Sequence, residues 1–374
     1  MQAVILVGGE GTRLRPLTYG TPKPMVPLFG VPFLECTLGR LKAAGVTEVI
    51  LAAGYMPRAI ENYFGNGSRL GLKITYVVED SPLGTAGAIR NVADHIHGSF
   101  FVLNGDVLTS LDLRSMIAFH REKGGIGVLH AIRVDDPSAF GCIVRADGSR
   151  ISAFVEKPRR DEAPTNEINA GTYLLEPAVI DHIPAGRPSS IEREIFPLLL
   201  AGPHPLYSYV TNDYWLDVGR PQQYRQAHDD VLDGKLSIGE ASGSTEAAFG
   251  TGTFWGIGDA GVPENVRPPV YIGRGVSIDP SAVVGPYAVI GDDGVIGADV
   301  HIRNAVLWDD VSVEAGARIA ESILATSVQV GRKAVVENGA VIGHAAAIDP
   351  GTVLEPDARV ADPGRVPEAA VSNA

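Results

Sequence analysis

Apolar residues recur in two rhythms along this chain, and the change of rhythm divides it. Up to about residue 233, short apolar runs alternate with stretches whose apolar positions follow helical spacing. Residues 3–7, 49–53, 74–78 and 100–103 read as strands, and 33–44, 57–64 and 86–93 as helices. Such alternation predicts an α/β, Rossmann-like domain over 1–233, with a mostly parallel sheet covered on both faces. From Tyr271 the period becomes six, with apolar residues at Ile272, Ile278, Val284, Ile290, Ile296 and Ile302, often followed by a glycine or an acid. The register slips between about 308 and 324 and resumes at Val330, Val336, Ile342 and Ile348. This hexapeptide pattern predicts a parallel β-helix over 267–358, one short strand per repeat and three per coil, apolar residue inward. Residues 234–266, rich in Gly, Ser and Ala, read as a linker with a docking element at Phe254-Trp255, and 359–374 as a frayed tail.

Where the first strand ends, the sequence turns to chemistry. It continues as Leu6-Val7-Gly8-Gly9-Glu10-Gly11-Thr12-Arg13-Leu14-Arg15-Pro16, then Thr21-Pro22-Lys23-Pro24. Glycines let backbone N–H groups approach a polyanion, successive loop amides form an anion nest, and Arg13 and Lys23 can reach the same charge. The loop lacks the Gly-Lys-Ser/Thr ending of a Walker A motif and does not fit Gly-x-Gly-x-x-Gly with its distal acid. In a doubly wound sheet, ligands bind beyond the carboxyl ends of the strands. Asn104-Gly105-Asp106 follows the strand at 100–103, so a carboxylate suited to Mg²⁺ is expected at the same end as the glycine loop. Read alone, Asp106 could equally cap a helix, and Thr85 could cap the helix near 86–93.

Composition narrows the classes. A net charge of −13 argues against a general nucleic-acid binder but leaves room for a mononucleotide site with a few local cations. With 45% hydrophobic and 20% charged residues, the 374-residue chain reads as a soluble two-domain protein. It has neither an apolar run of membrane-spanning length nor a secretory leader, so no membrane partner is expected and the cytoplasm is the expected compartment. Cys36 and Cys142 have no metal-ligand spacing and read as core residues. No Ser-His or Cys-His pair accompanies the loop, so a covalent enzyme intermediate has no obvious nucleophile.

Taken whole, the loop resembles the signature of the sugar-1-phosphate nucleotidylyltransferases, the sugar-nucleotide pyrophosphorylases, and the resemblance runs over most of the chain. Tyr55-Met56, Asn104-Gly105-Asp106, Phe154-Val155-Glu156-Lys157-Pro158, Ile168-Asn169-Ala170-Gly171-Thr172-Tyr173 and Ser189-Ser190-Ile191-Glu192 extend it. The pattern looks most like the mannose-1-phosphate guanylyltransferases that carry a left-handed parallel β-helix. One departure is Gly105, where several relatives have Ser. The resemblance implies a nucleotide side of Leu6, Gly8, Gly9, Gly11, Thr12, Arg13, Lys23, Glu79, Pro82, Gly84, Thr85 and Asp106. Its sugar side would comprise Gly141, Glu156, Lys157, Asn169 and Asp217. Arg13, Lys23 and Lys157 would be the catalytic cations, Asp106 and Asp217 would hold Mg²⁺, and Glu10 and Arg15 would support the loop.

The implied reaction joins a nucleoside triphosphate, GTP by preference, to a sugar 1-phosphate, mannose 1-phosphate by preference, and releases pyrophosphate. The Pro82-Leu83-Gly84-Thr85-Ala86-Gly87 form looks like the guanylyl- and adenylyltransferase type rather than the glutamine-led thymidylyltransferase type. Glucose-1-phosphate adenylyl- or thymidylyltransferase, and a guanylyltransferase for a modified sugar or cyclitol phosphate, remain alternatives. A regulatory, non-catalytic homologue would be expected to lose parts of the basic loop or the acidic pair, and here both are intact. His301 and His344, solitary on the coil, read as structural or surface residues rather than acyltransferase bases. An open β-helix end or edge invites self-association, so a homo-oligomer is expected.

Overall fold

The computed structural model describes residues 1–146, 148–238, 253–255, 263–361, 363 and 365–366. Most of the expected linker (239–252 and 256–262), the side chains of Phe254 and Trp255, and residues 367–374 lie outside the described residues. The chain forms two compact units, Met1–Gly9 with Thr37–Trp215, and Glu10–Cys36 with Leu216–Ala374.

The first unit is built on a nine-stranded sheet. Its strands are β1 (Gln2–Val7), β2 (Glu48–Ala53), β3 (Lys73–Val78), β4 (Phe100–Asn104), β5 (Gly127–Arg133), β6 (Gly141–Arg145), β7 (Ile151–Glu156), β8 (Glu167–Leu175) and β9 (Leu206–Val210). The order β7-β6-β8-β4-β1-β2-β3 places β1 inside, and Ala3, Val4 and Ile5 are fully buried. This explains its unbroken apolar run: a strand covered on both faces has no polar side to show. β4, β1, β2 and β3 are mutually parallel, as the alternation with helices predicts. Beyond residue 104 the pattern changes. β8 joins β4 antiparallel, β6 and β7 form an antiparallel pair, and β9 returns parallel to β5. The parallel expectation therefore holds for the first half of the unit, where the registers Leu6↔Asn104, Val7↔Ala53 and Ala53↔Val78 align the carboxyl ends of four strands.

In the second unit, residues from Val270 wind into a parallel β-helix with three sheets, as expected of the left-handed hexapeptide class. Each strand pairs with the one a full coil later, as in Val284↔Ile302, Ile302↔Ile319 and Ile319↔Val336. The inward residues Val284, Ile290, Ile296, Ile302, Leu307, Val313, Ile319, Leu324, Val330, Val336, Ile342 and Ile348 form one buried column. The slip in the repeat has a plain cause: Ile302 to Leu307 and Ile319 to Leu324 are five-residue steps rather than six. Each shortened corner keeps its ladder by placing Asn304 (φ 46°) or Glu321 (φ 53°) in the left-handed region. At the second corner the buried Ser322 hydroxyl lies 2.7 Å from the Ala320 carbonyl and 3.1 Å from that of Val336, which supply its acceptors.

The ladders do not stop at 358. Arg359–Val360 pairs with Val341–Ile342, and Arg365–Val366 with Ala347–Ile348, so the expected tail begins as further coil. Val360 is buried in the inward column, and that burial holds the strand there. On the opposite edge, Thr253–Trp255 lies antiparallel to Val270–Ile272, covering the open end of one sheet.

Candidate active site

Within the first unit, the aligned strand ends carry Gly8, Gly54, Glu79 and Gly105-Asp106. Gly8 and Gly54 approach so closely that a Cβ on Gly54 would stand 2.9 Å from the Gly8 carbonyl oxygen. A Cβ on Gly8 would come within 3.8 Å of Glu79 Oε1, so the glycine turn and this carboxylate share one edge of the sheet. Gly9 is exposed, with open space where a side chain would stand. Glu79 Oε2 accepts the Leu83 amide at 3.0 Å, while burial raises its carboxyl above the ordinary range. Asp106, half-buried, sits in the turn between β4 and the short strand Val107–Thr109. No helix begins there, so the capping reading of this aspartate falls away. Gly105 N–H donates to Leu6 O at 3.1 Å, and a Cβ at 105 would lie 2.7 Å from that oxygen. With no side chain at 105, the backbone comes directly against β1.

The segment after Glu79 enters a helix at Gly84 (Gly84–Asn91), with Thr85 inside its first turn rather than capping it. Gly84 has φ +70°, and a Cβ there would meet Ser189 O at 2.6 Å. The Thr85 hydroxyl donates to Glu192 Oε2 at 2.7 Å and accepts the Ile191 amide at 2.9 Å. Thr85 therefore acts as a latch between the 83–87 segment and residues 189–192. Pro82 is exposed at the head of this turn.

Gly141, Glu156 and Lys157, expected on the sugar side, come together across the β6–β7 pair, where Gly141 faces Glu156 in register. A Cβ on Gly141 would lie 2.4 Å from the Phe154 ring and 2.8 Å from Glu156 Oε2, so only glycine fits. Lys157 adopts φ +49°, a conformation that side chains rarely take and that surrounding contacts must hold. Its amide donates to Phe140 O at 3.0 Å, and its ammonium stands 3.7 Å from Glu156 Oε1. The Glu156 carboxyl is raised, first by burial and then by the charge of Glu192. Asn169 donates from Nδ2 to the Tyr173 hydroxyl at 2.8 Å and accepts the Gly171 amide at 3.0 Å. Tyr173 is fully buried, and its hydroxyl donates to Glu192 Oε1 at 3.5 Å. Glu192, held also by Ser190 Oγ at 2.8 Å, thus joins Thr85 and Asn169 through one network. In the sequence, Glu192 and Tyr173 stand only as parts of matching segments, with no separate role. Neither has a motif of its own, and only the fold reveals their shared contacts.

Gly11, Thr12, Arg13, Lys23 and Asp217 belong to the second unit. Gly11 has φ +64°, and a Cβ there would stand 3.0 Å from Lys23 Cβ, so the two ends of the loop pack directly together. Thr18 Oγ1 donates to Gly11 O at 2.9 Å and closes the same turn. Thr12 and Arg13 are exposed and Lys23 is half-buried. The Arg13 guanidinium lies 3.0 Å from where a Gly219 Cβ would be, beside the segment that carries the half-buried Asp217. Arg15 pairs with Glu10 at 2.8 Å.

The loop is fastened to the β-helix. His344 Nε2 lies 3.2 Å from Thr21 Oγ1 and 3.3 Å from Leu17 O, which assigns the proton to Nε2. Its ring packs on Trp308 at 5.3 Å, and Trp308 Nε1 donates to the Tyr224 hydroxyl at 3.0 Å. That hydroxyl in turn donates to Pro27 O, while Phe29 packs on His228 and Tyr271. These contacts join residues 10–36 to the β-helix within the second unit. His344 is structural, as expected for a solitary histidine, but what it supports is the stretch leading to Lys23.

A glycine turn at the end of a parallel strand, with Glu79, Asp106 and Lys157 carried in the same unit, fits a nucleotidyltransferase. Residues 2–234 match the nucleotidyl transferase family and residues 266–370 match the GMPPB C-terminal domain. The chain belongs to the nucleotidyl transferase family and is an enzyme that transfers a nucleotide to a sugar 1-phosphate. It is 40% identical over 318 residues to the mannose-1-phosphate guanylyltransferase of Mycobacterium tuberculosis, covering 84% of this chain and 82% of that protein. The probable mannose-1-phosphate guanylyltransferase 2 of Arabidopsis thaliana is 38% identical over 352 residues, 92% of this chain and 91% of its own length. The UTP–glucose-1-phosphate uridylyltransferase of Synechocystis is 33% identical over 366 residues, 93% of this chain and 92% of its own. Among solved structures, HddC from Yersinia pseudotuberculosis complexed with GMP-PN matches with TM-score 0.53 and 31% identity, over 62% of this chain and 99% of that one.

Proposed function

We propose that this enzyme transfers the guanylyl group of GTP to mannose 1-phosphate, giving GDP-mannose and pyrophosphate, with 1–233 as the catalytic region. The observation that carries the reading is similarity to mannose-1-phosphate guanylyltransferases through both domains, at 40% identity in one case and over 92% of the chain in another. The guanine nucleotide complex of the HddC relative supports the choice of base. The uridylyltransferase relative, which spans the same two domains, makes nucleotide choice the point to test.

In the proposed step, a phosphate oxygen of mannose 1-phosphate attacks the α-phosphorus of GTP in line. A new P–O bond forms as the bond to the β-phosphate oxygen breaks, and pyrophosphate leaves with that electron pair. Both reactants are anions, so the protein's task is to neutralise charge and to align them. Arg13 and Lys23 serve the triphosphate, and Lys157 the sugar phosphate, with Glu156 accepting from sugar hydroxyls. Gly8, Gly9, Gly11 and Thr12 present backbone amides to the phosphates, and Glu79, Pro82, Gly84 and Thr85 line the base. One phosphoanhydride replaces another, so the reaction is freely reversible.

We propose Mg²⁺ as the divalent ion, held by Asp106 and Asp217. The donor chemistry fits: both are half-buried carboxylates, which offer the hard oxygen ligands that this ion takes. Mg²⁺ suits such sparse oxygen sites, taking phosphate oxygens and water for its other positions. When bound, it supplies electrostatic stabilisation of charge on the transferring phosphoryl group.

The test is pyrophosphate release with Mg²⁺ for GTP, ATP, UTP and dTTP, each paired with mannose and glucose 1-phosphate. The proposal expects GTP with mannose 1-phosphate to exceed every other pair. A preference for UTP with glucose 1-phosphate would instead align the chain with the uridylyltransferase relative.

A further inference from the structure

One face of the β-helix carries a concavity of about 280 Å³ that the proposed reaction does not use. Arg267, His301, Arg303 and Arg318 line it, with Glu337 at its edge. The ladder explains their convergence. His301 and Arg318 are direct partners on adjacent strands, so their side chains leave the same face about 4.8 Å apart. Arg303 lies two residues beyond His301 on the same strand and so returns to that face. Arg267 is carried in by its amide, which donates to Val284 O at 2.7 Å on the neighbouring strand.

Like charges on adjacent strands repel, and a coil normally quenches an arginine with a neighbouring acid. This coil does so elsewhere: Arg274 is held by Asp292 through Nε at 2.9 Å and an Nη at 2.7 Å. Arg359 donates to three backbone carbonyls. Among the described residues, by contrast, Arg267, Arg303 and Arg318 make no ion pair, and all three are exposed. Glu337 is the only acid among the lining residues, and it is half-buried. A chain of net charge −13 thus gathers three unpaired guanidinium groups around one hollow.

We propose that this hollow is a second phosphate-recognition site, for a compact small molecule carrying two phosphoryl groups. Guanidinium forks bind phosphate oxygens in bidentate fashion, and three of them exceed what a single phosphate needs. Glu337 suits a hydroxyl between or beside the phosphates, which favours a phosphorylated sugar over bare pyrophosphate. The site is independent of the nucleotide and metal assignments above.

Isothermal titration of the full chain with glucose 1,6-bisphosphate, and separately with inorganic pyrophosphate, tests it. Arg303→Gln/Arg318→Gln is the test variant and Asp106→Asn the control. Wild type and Asp106→Asn are expected to bind glucose 1,6-bisphosphate alike, and the double arginine variant at least tenfold more weakly, with its melting temperature and basal turnover unchanged. Weaker binding at raised ionic strength is expected as well. Pyrophosphate binding as tight as the bisphosphate at this site would keep the phosphate site but remove the part given to Glu337. Isotherms identical in wild type and double variant would overturn the proposal. So would a change of sedimentation state in the double variant without any loss of ligand, because the arginines would then serve contact between copies of the chain.

Discussion

Glu156 shows how a single position sets a measurable property. Burial and the nearby charge of Glu192 raise its carboxyl above the usual glutamate range. On acidification it therefore takes up a proton earlier than a free glutamate would, and loses its ability to accept from a sugar hydroxyl. The acid limb of kcat/KM for the sugar phosphate should lie above the ordinary carboxylate range, and Glu156→Gln should remove that limb while raising KM. A profile unchanged by the substitution would take Glu156 out of the pocket. Gly141 makes a second residue-scale claim. Its missing side chain leaves the space that Phe154 and Glu156 fill. Gly141→Ala should impose an overpacking cost of about 1–3 kcal/mol. It should also raise KM for the sugar phosphate more than KM for the nucleotide, as read from initial rates with each substrate varied.

At the scale of elements, the β-helix holds a loop of the catalytic sequence. His344 reaches Thr21 and Leu17, and Trp308 reaches the tyrosine that holds Pro27. His344→Ala should cost about 1 kcal/mol of stability, the usual net worth of a hydrogen bond. Its larger effect should fall on kcat, about tenfold, because Lys23 is two residues from Thr21. His344→Gln, which keeps a donor, should recover part of kcat; equal loss in both variants would mean that the ring packs but does not position the loop. The two rhythms of the sequence made these elements legible, since period and burial are the same fact seen twice. Val284, Ile302, Ile319 and Val336 fall in one buried column, as a six-residue repeat requires. The five-residue corners at Asn304 and Glu321 blurred that repeat, because losing one residue shifts every later position. The strands β5, β6, β7 and β8 follow one another with no α-helix between them, so strand–helix alternation carries no signal there.

For the molecule as a whole, the proposed phosphate loop stands out in the sequence because its glycines and cations lie in one contiguous run. Its anchoring does not, since Thr21 and His344 are 323 residues apart. The same holds for Glu192, which reaches Thr85 over 107 positions. A chain ending at residue 238 would lack Tyr271, Trp308 and His344, and with them the apolar and hydrogen-bonding support of residues 10–36. Such a truncation should melt earlier than the full chain and show no turnover with GTP and mannose 1-phosphate; full activity would show that the β-helix does not hold the loop. Guanylyl transfer is read most directly as pyrophosphate release from GTP and mannose 1-phosphate, in wild type and in Asp106→Asn. Rapid release by wild type is expected, with GTP preferred over ATP, UTP and dTTP, and a fall of about 10²–10³-fold or more in the variant. Equal turnover by both proteins, or none by wild type with any nucleotide, would contradict that expectation.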